Sequence, residues 1–72
     1  MLKITISKWD TKDLAYKEID TREVIDEQIL FEFISDEHPN CKVEKREGGA
    51  LYDVYNEAGT FVDYCYWFEE IL

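Results

Sequence analysis

Few residues in this chain are able to do chemistry. His38 is the only histidine, three positions before Cys41 in His-Pro-Asn-Cys, and Cys65 is the other thiol. Nucleophilic catalysis needs a base held against a hydroxyl or thiol, so any such arrangement would have to recruit His38. Beside Pro39 at an expected helix end, that side chain more naturally meets free backbone carbonyls or solvent. His38, Cys41 and Cys65 would supply three metal ligands where a structural zinc site uses four. Glu69 and Glu70 are paired carboxylates, but neighbours on a strand point to opposite faces. Gly48-Gly49 separates two strand-like segments and so does not form a phosphate-binding loop, which would lead from a strand into a helix. These residues are read as belonging to a non-enzyme with no cofactor and no metal site.

The elements that must position them follow from periodicity. Leu2 to Lys8 alternates Leu2, Ile4 and Ile6 with Lys3, Thr5 and Ser7, the period of a half-buried strand. The polar DTKD turn, Asp10 to Asp13, leads to a shorter segment, Leu14 to Ile19, read as its hairpin partner. Asp20 has the character of a helix N-cap, and Glu23 three residues later completes a capping-box spacing. A helix is expected from about Thr21 to Asp36, stopped by His38-Pro39-Asn40. Beyond it, CKVEKRE, ALYDVYN and TFVDYCYWFEE read as a three-stranded meander. Its expected loops are a two-residue Gly48-Gly49 turn and an Asn56 to Gly59 turn with Gly59 left-handed. The sequence therefore predicts an α+β fold in the order β-β-α-β-β-β, a single domain over residues 1–72 with one helix covering an antiparallel sheet.

The expected helix carries more apolar surface than one sheet can take. Ile25, Ile29 and Phe33, four apart, make the natural stripe to lay on the sheet. Val24, Phe31 and Ile34 lie on a second stripe with Glu27 among them, and Leu30 falls between the two. Either the run ILFEFI is partly strand, or the second stripe meets another chain. The cap signal and the Pro39 stop favour the helix.

Charge then limits the partners. The 72 residues hold 17 acids and 8 bases, a net charge of −9, in a composition that is 46% hydrophobic and too apolar for a disordered acidic tail. Repulsion at this charge disfavours direct nucleic-acid binding. Lys42, Lys45 and Arg46 cluster, but Glu44 and Glu47 interleave with them. No apolar run approaches the roughly 20 residues of a membrane span, and the first residues lack the features of a signal peptide, so a cytoplasmic protein with two reduced thiols is expected. From Asp10 to Glu37 there are ten acids and three bases. Glu23, Asp26, Glu27, Glu32, Asp36 and Glu37, with the apolar second stripe, would give an acidic rim around desolvated anchors, which is the anatomy of an interface. The partner expected is a protein with a basic, nucleic-acid-binding surface. Self-association into a homodimer, with acidity serving solubility, is the alternative.

In size, acidity, aromatic content and element order the chain resembles the small inhibitors encoded by phages and mobile elements, the anti-CRISPR proteins and acidic DNA mimics among them. The resemblance spans the whole chain as architecture and rests on no residue motif. It implies a stoichiometric binder that blocks a nucleic-acid-handling host enzyme without a cofactor.

The C-terminal strand adds one more surface. FVDYCYWFEE, Phe61 to Glu70, holds five of the chain's eleven aromatic residues. Burying Asp63 would be costly, so Val62, Tyr64, Tyr66 and Phe68 are expected to face the helix, leaving Phe61, Cys65 and Trp67 on the open side. Trp67, beside Glu69 and near Trp9, is the expected contact residue on that side.

Overall fold

The computed structural model describes residues 1–71. Its elements are β1 (Leu2–Asp10), β2 (Ala15–Val24), α1 (Glu27–Glu37), β3 (Val43–Lys45), β4 (Leu51–Tyr55) and β5 (Val62–Glu70). The fold is α+β, one antiparallel five-stranded sheet in the order β2-β1-β5-β4-β3 with a single helix. Because α1 joins β2 at one edge to β3 at the other, the chain must pass across one face of the sheet, and this crossing builds the core.

That core is the apolar alternation of three strands closed by one side of the helix. Leu2, Ile4 and Ile6 of β1, Tyr66 of β5, and Tyr52 and Val54 of β4 pack against Leu30 and Ile34 of α1. Cross-strand register aligns them, with Ile4 opposite Phe68, Ile6 opposite Tyr66 and Val54 opposite Tyr64. Ile4, Leu30, Ile34 and Val54 are fully buried, each contributing roughly 1.5–3 kcal/mol of hydrophobic stabilisation before entropy is counted.

The helix is shorter than its sequence signals and begins later. Asp20 and Glu23 form no capping box. Both lie in β2, which continues to Val24 and pairs along its length with β1, Leu2 opposite Val24 and Ile6 opposite Asp20. The working cap is Asp26, whose backbone is extended (φ −153°) and whose carboxylate accepts from the Ile29 N–H at 2.9 Å. Pairing to β1 satisfies a whole row of β2 backbone groups, and this overrides the local acid spacing. The stripe changes with the boundary. Ile25 lies outside the helix and Ile29 is exposed, while Leu30 and Ile34 are buried. Val24 packs from β2, and Phe31 stays 44% exposed with its ring against Tyr52.

The loops depart less. Asp10 accepts from the N–H groups of Lys12 and Asp13 and closes the first hairpin. The β3–β4 connection is wider than a two-residue turn: Gly49 N–H donates to Arg46 O, Arg46 N–H donates to Leu51 O, and only Gly48 takes a positive φ. The β4–β5 turn is as expected, with Gly59 N–H on Asn56 O and Gly59 at φ +73°.

Candidate functional site

Two surfaces on opposite sides of the sheet carry the residues singled out in the sequence. On α1, Glu32 and Asp36 are four apart and exposed on the side away from Leu30 and Ile34, flanked by the exposed Ile29 and Phe31. The last turn has no basic residue, and among the described residues neither Glu32, Asp36 nor Glu37 forms a salt bridge. This half of the expected interface is contiguous.

The remaining members are dispersed. Glu23 is on the edge strand β2 and Asp26 is committed to capping. Glu27 is engaged by Lys45 Nζ at 2.8 Å and by the Tyr52 hydroxyl at 2.6 Å, and these two donors hold its carboxyl below the usual range. Burial, with the Glu27 contact, pushes the Tyr52 phenol up to about 12. Trp67 is 50% exposed but on the sheet face opposite α1, since it alternates with the core residues Tyr66 and Phe68 and pairs with Thr5 and Leu51. One partner surface cannot meet the α1 acids and Trp67 as a single flat patch. Near Asp26 and Glu27 a cavity of about 520 Å³ is floored by Leu2, Ile25 and Phe68 and rimmed by Glu69 and Glu70.

The open face is not the bare apolar surface that alternation suggests. Leu51, Asp53 and Cys65 are buried there. Asp53 accepts from Arg46 twice, Nη2 at 2.8 Å and Nε at 3.2 Å, and from the Cys65 thiol at 3.7 Å. Burial and the Asp53 carboxylate push that thiol up to about 11, so Cys65 is placed correctly by its parity but is not a contact residue. Val62 leaves the inward set because a register shift at Val54/Tyr55 pairs it with Tyr55. Trp9 does not approach Trp67. It packs edge-on to Tyr16 and Phe61, 5.0 and 5.3 Å away.

His38 caps the C-terminal end of α1 through its backbone N–H on Ile34 O, as its place in the sequence implies. Its side chain, however, is turned inward. Nε2 is 2.8 Å from the Tyr66 hydroxyl and the ring lies 4.5 Å from that of Tyr64. Burial lowers its pKa, while Glu37 and Asp63 oppose the shift. Among the described residues no serine or cysteine side chain is hydrogen-bonded to it, Cys41 and Cys65 are free thiols, and no group of three or more His, Cys, Asp or Glu is arranged to hold a metal ion. The sequence placed Tyr64 and Tyr66 inward by parity. It had no signal for His38, because that contact joins residues 28 apart.

Fold and site together define a small acidic α+β domain with charged and aromatic surfaces on both sides of its sheet. No family model matches its sequence, and no curated protein or solved structure matches the chain. Among the described residues no helix is long and apolar enough to cross a membrane.

Proposed function

We propose that this protein is an acidic binding protein that occupies the basic surface of a nucleic-acid-handling protein, in the manner of an anti-CRISPR or DNA-mimic inhibitor, using the solvent side of α1. The observation that carries the reading is the pairing of exposed apolar residues, Ile29 and Phe31, with Glu32 and Asp36, carboxylates that form no salt bridge among the described residues. Carboxylates in such an array attract a partner's cations through the same long-range field that phosphates supply, and the apolar neighbours provide area to desolvate. Glu37, Glu23 and the rim of Glu69 and Glu70 extend the negative field around the molecule.

The test is a capture experiment with purified components. Immobilised protein should retain a DNA-binding partner, lose it as salt rises, and release the partner's DNA in a competition assay. Glu32→Lys/Asp36→Lys should weaken capture at least tenfold. Capture that is indifferent to salt and to these two charges would sink the reading. A second reading, a homodimer formed through the open face, is favoured by the exposure of Trp67 there. A monomer in light scattering at micromolar concentration excludes it.

A further inference from the structure

The groove between the last turn of α1 and the edge strand β2 is floored by Ile6 and walled by the rings of Phe33, His38, Tyr64 and Tyr66, with the carboxylates of Asp20 and Glu37 at its rim and a volume of about 220 Å³. Ring faces carry negative potential, and a helix C-terminus with no basic residue in its last turn adds more. One of the chain's own cations already sits in this groove. The Arg22 guanidinium lies 5.1 Å over the Phe33 ring with Nε 3.1 Å from Asp20. Arg22 is half exposed, so nothing buries it in that position.

We infer that this groove is a socket for the guanidinium of an arginine on the protein partner, with Arg22 as a resident stand-in that the incoming side chain displaces. The inference rests on the proposed binding to a basic surface and names the side chain recognised. A planar guanidinium suits the site better than an ammonium, because it can stack on Phe33 while its fork engages a rim carboxylate. Glu37, which makes no salt bridge among the described residues, supplies the charge that Arg22 leaves unused. Asp20 becomes available once Arg22 swings out.

The experiment is an amide-resolved NMR titration of the whole protein with capped Gly-Arg-Gly, beside its lysine and citrulline counterparts. Shifts with the arginine peptide should concentrate at Phe33, Glu37 and Tyr64, be weaker with lysine and vanish with the uncharged citrulline. Arg22→Ala should tighten the arginine peptide about two- to fivefold, the range of an exposed cation–π contact, and Glu37→Gln should weaken it by a similar factor. If Arg22→Ala disturbs the fold, as amide shifts far from the groove would reveal, Arg22→Lys keeps the charge, removes the planar stack and should tighten the peptide by a smaller factor. Shifts spread evenly over the acidic surface, or an affinity that does not rise when Arg22 is replaced, would overturn the inference. A failed titration alongside capture that still depends on Glu32 and Asp36 rejects the socket alone. Capture that is blind to those charges rejects the wider reading and leaves the peptide result standing.

Discussion

His38 is hydrogen-bonded to Tyr66, its Nε2 2.8 Å from the phenolic oxygen, and this contact fastens the end of α1 to the middle of the sheet. Replacing His38 by alanine removes the bond and the tilted ring contact with Tyr64 and orphans a buried hydroxyl, a loss of about 1–2 kcal/mol in urea unfolding. The pH dependence has a definite sign. Burial lowers the folded-state pKa below 6.5, so the unfolded chain binds the proton more readily. This contribution to stability is complete above about pH 6.5 and is lost as pH falls toward the folded pKa. His38→Ala should flatten that part of the stability profile, and an unchanged slope would show that His38 is not buried as described.

The Arg46–Asp53 pair should behave asymmetrically. Asp53 is 7% exposed whereas Arg46 is half exposed, so removing the arginine strands a buried carboxylate. Arg46→Ala should cost about 1–3 kcal/mol in the native background. In an Asp53→Asn background it should cost less, because the amide has no charge to leave behind. Equal losses in the two backgrounds, measured as a double-mutant cycle, would mean the pair is not coupled.

The two thiols should separate in reactivity. Cys65 is buried and held at about 11, whereas Cys41 is only partly buried. An aromatic disulfide reagent at pH 8 should label one thiol rapidly, with mass spectrometry placing the label on Cys41. Cys65 should react only at the rate of unfolding. Since the folded thiol titrates above its ordinary value of 9.0, its contribution to stability should be lost as pH rises from about 9 toward 11.

The start of the helix can be tested by its cap. Asp26→Ala should cost about 1 kcal/mol and lower the helical circular dichroism signal, because the Ile29 N–H loses its acceptor. Asp20→Ala should change stability by less than about 0.5 kcal/mol, as expected for an exposed strand residue. The reverse ranking would restore the helix to the longer span that the Asp20-Glu23 spacing suggests.

The element order, the α+β class and the inward parity of Tyr64, Tyr66 and Phe68 are legible in the sequence, because strand alternation and Gly59 turn chemistry act within a few residues. Trp67's exposure is legible for the same reason. The helix start was not, because Asp20 and Asp26 both satisfy the local rule for a cap, and only β1, donating and accepting along β2 as far as Val24, decides between them. The acidic set reads as one surface on a helix that starts at Thr21, and the later start of α1 leaves Glu23 on β2 and commits Asp26 to the cap. Only the tertiary structure ties Glu27 to Lys45 and Tyr52, leaves Glu32 and Asp36 together on the solvent side of α1, and sets His38 against Tyr66. The sequence determined which residues each element presents, through short-range periodicity. Tertiary pairing decided where each element begins and which presented residues meet, because those contacts join distant parts of the chain.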